Sequence, residues 1–343
     1  MQHALRAGPR PIRRSMPRAW LGLAAALVLL PPAPAARAQD AVTAYPSRPI
    51  RLVIPFAAGG PPDALARALG QQLGERWGQP VVVDNKAGAG GSIGAETVAK
   101  SPPDGYTLLL STTGVVAVNP SLSKVGFDTL RDFSPVLLAA TIPSLLVVPP
   151  SLNVKTAKEF IALAKSRPGA LNYGSSGPGS ASHLAMAMFD KATGIELQHV
   201  PYKGAAPAVT DLLGGNLQAM MIGVSTVLPY VNAGKLVALG VSSPRPSPLA
   251  PGLPTIAEAA GMPGFEVSNW MGLFAPAGTS PAIVDRLNAE ITAILRRPET
   301  WQSLSRDGFE PVPANSPAEF GRYLREEITR WSRLVKDASI TAN

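Results

Sequence analysis

Two periodicities alternate along the chain. Apolar, β-branched runs of strand length, "IRLVIPF" (50–56), "PVVVDN" (80–85) and "YTLLLST" (106–112), flank a stretch in which Leu65, Leu69, Leu73 and Trp77 recur at a spacing of four. The first pattern predicts buried strands and the second an amphipathic helix. The alternation restarts at "SLLVVPP" (144–150) and runs through "LNYGSS", "LQHVPYKG", "LQAMMIG" and "LVALGVSS". Helices are predicted between them over "AKEFIALAKSR", over the segment carrying Leu184, Met188 and Phe189, and over "PAVTDLLGG". Strands alternating with helices imply βαβ units and parallel sheets. After "NWMGLFAPAG" (269–278) the chain reads as helical and closes on "SPAEFGRYLREEITRWSRLVKD" (316–337). There Ser316, Pro317 and Glu319 fit the N-cap, first and third positions of a capping box. Phe320, Leu324, Ile328, Trp331 and Val335 form one stripe, expected to pack on the first lobe.

The pattern thus predicts an α/β protein with two doubly wound lobes. Residues 45–143 are the first part of lobe 1 and 144–244 are lobe 2. Residues 245–343 are a return connector and the C-terminal helical part of lobe 1, with the prolines of "SSPRPSPLAPGLPT" (242–255) stiffening the crossing. Crossings near 141–147 and 240–270 would serve as the hinge.

The first 38 residues follow a different logic. Arg6, Arg10, Arg13, Arg14 and Arg18 precede the apolar run "AWLGLAAALVLL" (19–30), and "PPAPAARA" ends in Ala36-x-Ala38. This succession predicts a cleavable signal peptide over 1–38 and a periplasmic mature protein. The segment holds six arginines and no acid, so the formal charge of +8 falls to +2 on cleavage. A nearly neutral chain argues against a nucleic-acid partner, which needs clustered Lys and Arg. The sequence contains no cysteine, which excludes a disulfide framework, a lipid-anchored cysteine and thiolate metal sites.

Candidate chemistry lies in the turns that follow strands. In "PFAAGGPPD" (55–63), Gly59 and Gly60 allow backbone to approach a ligand closely, while Pro61 and Pro62 suit a first helical turn. Such a helix start carries partial positive charge and exposed amides, so it can hold a carboxylate without Arg or Lys. Asp63 could equally be a first-turn dipole partner in an ordinary tight connection. The arrangement recurs at "STTGV" (111–115) and "SSGPGSASH" (175–183), with "PYKG" (201–204) as a further turn. In open parallel sheets ligands sit beyond the C-terminal strand ends, commonly between the first and third strands. Two lobes facing each other with largely neutral anion-binding turns describe a clamp.

Other readings are weaker. "KAGAGGSIG" (86–94) spaces its glycines as G-x-G-x-x-x-G, one residue off the dinucleotide fingerprint, and reads as a close-packed turn without a cofactor. A secreted serine hydrolase would have to use Ser175, Ser176 or Ser180 with His183 or His199, yet no nucleophile elbow or third catalytic group is evident. Two histidines sixteen residues apart, without an H-E-x-x-H motif or an acidic cluster, predict no metal site.

The turns, taken together, resemble a known family. "YPSRPIRLVIPFAAGG", "QPVVVDNKAGAGGSIGAETVAKSPPDGYTLLL", "LNYGSSGPGSASHLA", "HVPYKGAAPAVTDLLGG" and "AGKLVALGVSS" are similar to the Bug or TctC-like extracytoplasmic solute receptors of tripartite tricarboxylate transporters. The resemblance implies a type II periplasmic-binding-protein fold, a Venus-flytrap cleft for a small organic acid, membrane permease subunits as partners, a monomer, no cofactor and no catalysis. It maps ligand contacts onto Phe56, Ala57, Ala58, Gly59 and Gly60, onto Thr112, Thr113 and Gly114, and onto Ser175, Ser176, Gly177, Gly179, Ser180 and His183. Tyr202, Lys203 and Gly204 lie nearby, and Ser225 adds a hydroxyl. Pro61 and Pro62 depart from the Ser-Thr of many members, which removes two hydroxyls from the turn. A receptor that signals to a sensor protein without transport would need the same clamp.

Overall fold

The computed structural model describes residues 45–178, 180–202 and 204–337, and all elements named below lie in the compact unit from Pro46 onwards. The predicted signal peptide lies outside the described residues. The strands are β1 (Ile50–Ile54), β2 (Val81–Asn85), β3 (Thr107–Thr112), β4 (Phe133–Val148), β5 (Leu171–Ser175), β6 (Leu197–Pro201), β7 (Met220–Gly223), β8 (Val237–Val241) and β9 (Ser268–Pro276). Between and after them run α1 (Pro61–Trp77), α2 (Ser92–Ala99), α3 (Ala157–Ser166), α4 (Ala181–Thr193), α5 (Ala205–Leu213) and α6 (Val224–Asn232). The remaining helices are α7 (Ile256–Ala260), α8 (Pro281–Leu295), α9 (Pro298–Leu304) and α10 (Pro317–Asp337), besides short helical turns at Gly114–Val118, Asn119–Leu122 and Thr129–Asp132.

The fold is two α/β lobes sharing a long strand. β1 pairs in parallel with β2 and β3, as the βαβ pattern predicts. β9 then inserts between β3 and β4 and runs antiparallel to both. The expectation of parallel sheets therefore fails at β9, where the chain re-enters this sheet from the far lobe rather than through a crossover helix, and again at β7 and β8, which run antiparallel to β4. β4 is continuous over sixteen residues; it pairs with β9 up to Pro143 and with β7 and β8 from Ser144 onward. The parallel pair β5–β6 joins the second sheet through the Tyr173–Ala219 bridge and the Gly174 N–H donating to Ala219 O at 3.1 Å.

Irregular backbone is satisfied by side chains. The register of β4 against β9 shifts between Pro135 and Leu137 and again between Leu138 and Ala140. Asn315 accepts from Leu138 N–H at 2.9 Å and donates to Leu138 O at 3.0 Å, while Asn288 donates to Val136 O at 2.8 Å. These bonds pair groups that the bulges would leave orphaned.

The final helix forms as its sequence predicts. Ser316 N–H donates to Glu319 Oε2 at 2.8 Å, and Glu319 N–H donates back to Ser316 Oγ at 3.2 Å. Phe320, Leu324, Trp331 and Val335 are buried, with Phe320 against the rings of Trp270 and Phe274 at 5.7 and 5.2 Å. Each such side chain contributes about 1.5–3 kcal/mol on burial, which fixes α10 to the sheet that ends at the cavity. No helix among the described residues is long and apolar enough to cross a membrane.

Candidate functional site

A cavity of about 700 Å³ lies where the strand ends converge. The β1–α1 turn supplies Phe56, Gly60, Pro61 and Pro62, and the segment after β3 supplies Thr112, Gly114, Val115, Asn119, Leu122 and Ser123. Ile142 of β4 and Asn269 and Met271 of β9 form a further wall, and Pro178, Ser180 and Ala181 face them from the β5–α4 turn. None of the described lining residues carries a formal charge.

The start of α1 differs from its sequence-based expectation. Pro61 and Pro62 have no N–H, and the N–H groups of Asp63 and Ala64 both donate to Gly60 O at 3.0 Å. Gly59 N–H donates to Asp63 Oδ2 at 3.0 Å, with Arg67 Nε on the same oxygen at 2.9 Å and Asn85 Nδ2 on Oδ1 at 3.0 Å. The Arg67 hydrogen bond, helped by Gly59 and Asn85 against the cost of burial, holds the Asp63 carboxyl down at about 2. The turn thus carries its own anion, and most amides that could meet a ligand here are absent or occupied. Gly59 has φ +87°, a conformation L residues rarely adopt. It is exposed and not among the cavity-lining residues. Its glycine serves the turn's shape.

"KAGAGGSIG" packs closely, as read: a Cβ on Gly94 would fall 2.8 Å from Pro55 Cα. It also does more than was expected, because Ala89 and Gly90 line the cavity, where Asn119 Nδ2 donates to Gly90 O at 2.8 Å.

After β3, Thr113 turns away from the cavity. Its Oγ1 accepts from Trp270 N–H at 3.0 Å, and Trp270 Nε1 donates to Glu327 Oε2 at 2.8 Å. Trp331 Nε1 shares that carboxylate at 3.1 Å, and Arg330 pairs with it at 2.6 Å. Burial pushes the Glu327 carboxyl up, against the pull of Arg330 and the two indoles. This network ties α10 to β9 and so sets where Asn269 and Met271 stand in the cavity wall.

Across the cavity, Ser180 caps α4 with its hydroxyl, accepting from His183 N–H at 3.3 Å and donating to Gly177 O at 2.7 Å. Behind it sits a buried stack. The His183 and His199 rings lie 4.0 Å apart and nearly parallel, with Tyr173 at 4.9 Å from His199. Burial, with His199 alongside, holds His183 down at about 4; burial likewise lowers His199. Asp190, on the same helix, is pushed up to about 7 by burial, only partly offset by the Leu197 N–H. Ser175 Oγ lies 2.7 Å from His199 Nε2 and accepts from Gly177 N–H at 3.1 Å. A serine beside a histidine suggests a nucleophile, but Ser175 has no exposed surface for a substrate to reach. It buttresses the turn.

Of the predicted contacts, Phe56, Gly60, Thr112, Gly114 and Ser180 line the cavity. Ala57, Ala58, Gly59, Thr113, Ser175, Ser176, Gly177 and His183 shape its turns without lining it. Tyr202 instead donates to Asp211 Oδ2 at 2.6 Å, Gly204 opens α5, and Ser225 lies in a separate groove beside Gly308. Gly179 and Lys203 lie outside the described residues. Met271, Asn269 and Ile142 were missed because only long-range pairing, Ile142 with Asn269 and Ala140 with Met271, brings them to the site. Among the described residues no cluster of His, Asp and Glu could hold a metal ion.

The chain is similar to known proteins along most of its length. A UPF0065 protein from the tcbD-tcbE intergenic region of a Pseudomonas sp. is 42% identical over 307 residues, which is 90% of this chain and 91% of that protein. The structure of R. palustris Rpa4515 with adipate has a TM-score of 0.73 at 39% identity, covering 87% of this chain and 99% of that one. MatC from Rhodopseudomonas palustris with bound malate has a TM-score of 0.70 at 33% identity, covering 85% and 100%. The family is one of solute-binding receptors and not of enzymes. The family described as tripartite tricarboxylate transporter family receptor matches residues 65–340, and the chain belongs to that periplasmic solute-binding family.

Proposed function

We propose that the protein is a periplasmic receptor that closes over a small carboxylate-bearing solute and presents it to the membrane subunits of a tripartite tricarboxylate-type transporter. In this reading residues 1–38 are removed on export, and the lobes 45–143 with 245–343 and 144–244 move about the crossings that join them. The observation that carries it is the cavity's chemistry: hydroxyls and backbone turns from both sheets converge on a space whose described lining is uncharged. Neutral donors in an enclosed site can hold an anion without a compensating side-chain charge. The adipate and malate of the similar receptors support the choice of a carboxylate.

A thermal-shift screen of the mature protein against mono-, di- and tricarboxylates tests the reading. A ligand at 100 times its Kd adds about 2.7 kcal/mol of stability, so at least one acid should raise Tm by several degrees. A panel in which no acid moves Tm would overturn it.

A further inference from the structure

Two strand crossings join the lobes, and they lie side by side. β4 changes partners between Pro143, opposite Ser268 of β9, and Ser144, opposite Gly223 of β7. The chain returns into β9 between Val267 and Ser268. Ser242, the residue after β8, is fully buried and reaches both crossings. Its N–H donates to Ser144 O at 2.8 Å, continuing the ladder in which Leu145 faces Val241. A regular antiparallel pair would send the return bond from Ser144 N–H to Ser242 O. Ser242 O instead accepts from Val267 N–H at 3.0 Å. The side chain supplies the acceptor that is missing: Ser144 N–H donates to Ser242 Oγ at 2.9 Å, and that hydroxyl donates on to Val267 O at 2.6 Å. One residue therefore bonds each crossing twice.

The two kinds of bond differ in what they permit. A backbone pair is held by planar peptides, so it resists a change of angle between strands. A hydroxyl both donates and accepts, and it turns about its own bond to suit its partners. The hydroxyl bonds can therefore follow the crossings through a rotation. Their place beneath the cavity gives that rotation a lever. Ile142 and Asn269 pair with each other in the cavity wall, two residues from Ser144 and Val267 respectively. Ser242 is not among the described lining residues.

We infer that Ser242 is the positioning residue of the lobe joint: its hydroxyl ties the two crossings together while the lobes change angle, and so sets how far apart the lobes rest. The inference rests on the proposed lobe motion and goes beyond it by assigning the pivot to one side chain.

The sequence contains no cysteine, so two introduced cysteines carry spin labels without ambiguity. Gln71 on α1 and Thr210 on α5 are exposed and belong to different lobes. Double electron–electron resonance on the Gln71→Cys, Thr210→Cys protein, with no solute added, reads the distribution of lobe separations. Adding Ser242→Ala leaves Ser144 N–H and Val267 O without that partner and should widen the distribution about twofold. Val209→Ala is the control for simple destabilisation, since it shortens a buried side chain in the core of lobe 2. It should lower Tm and leave the width unchanged. A Ser242→Ala width equal to that of the Val209→Ala protein would overturn the inference. If Ser242→Ala does not fold, hydrogen exchange in the unaltered protein decides. The amides of Ser144, Ser242 and Val267 should exchange about 100-fold more slowly than those of the exposed Arg245 and Gly252, because the joint stays paired as the lobes move. Equal rates would show a joint that opens, and the pivot would fall. No solute enters either measurement, so such a failure leaves the receptor reading to its own thermal-shift test.

Discussion

At the start of α1, where Gly60 is the N-cap without a side-chain cap, the first turn holds a carboxylate, Asp63, reached by Gly59 N–H, Arg67 and Asn85. At the start of α4 the cap is a neutral hydroxyl, that of Ser180. Both turns follow a strand, both are rich in glycine and proline, and both face the same cavity. The difference lies in where the negative charge comes from. A helix end whose anion is built into the chain is stabilised permanently and has little left to offer a solute. One capped by a hydroxyl keeps its partial positive charge for whatever arrives. Two turns that look equivalent as sequence therefore differ: one spends donors on the chain's own carboxylate, and in the proposed reading the other meets the solute.

Substitutions can test that difference, and the largest effect should come from steric blockade on the recognition side. Ala181→Trp fills the cavity from an exposed helix position and should weaken binding of the best acid more than 100-fold by titration, with Tm unchanged within about 2 °C. Gly59→Val tests the other turn. At φ +87° a β-branched residue costs about 1–2 kcal/mol, so Tm should fall while Kd stays within threefold. The reverse outcome, Gly59→Val unable to bind and Ala181→Trp binding normally, would show that the α1 turn grips the solute.

Acid should separate the two turns further. Asp63 titrates below its ordinary value of 3.8, so its contribution is complete above about pH 4 and lost as pH falls towards 2. Asp63→Asn should cost about 1–2 kcal/mol at pH 7, the worth of hydrogen bonds to a buried charged group, and the deficit should shrink on acidification. Behind the α4 turn two effects oppose each other. His183 stays neutral in the fold down to about pH 4 while the unfolded chain protonates near 6.5, so acid destabilises. Asp190 keeps its proton up to about pH 7 while the unfolded chain releases it near 3.8, so rising pH destabilises. Asp190→Asn should leave a Tm that falls as pH drops from 7 to 4. His183→Gln should leave one that falls as pH rises over the same range. Parallel pH profiles for the two variants would contradict the buried, oppositely shifted pair.

How much of this could be read from the chain follows from the range of the interactions. The capping box at Ser316 and Glu319 and the stripe from Phe320 to Val335 are local, and both form. The first half of β4 was not foreseen, because Pro135 and Pro143 interrupt its pattern and its partner β9 returns from far along the chain. Gly60, Thr112 and Ser180 could be placed at the cavity because ligand sites follow strand ends. Met271 could not. Asp63 as a first-turn dipole partner was one of two options in the sequence; its bond from Asn85 could not be read there, because only the parallel pairing of β1 with β2 brings that residue alongside. Helical spacing pairs Ser180 with His183, whereas the parallel pairing of β5 with β6 places Ser175 against His199 instead.

The receptor reading has neutral groups lining this cavity hold a carboxylate. A crystal structure of the mature protein grown with the tightest-binding acid tests it most directly. That reading predicts the carboxylate oxygens within about 3.2 Å of donors from Thr112, Gly114, Asn269 or the first turn of α4. A carboxylate paired with a Lys or Arg side chain, or seated on the α1 turn beside Asp63, would contradict it.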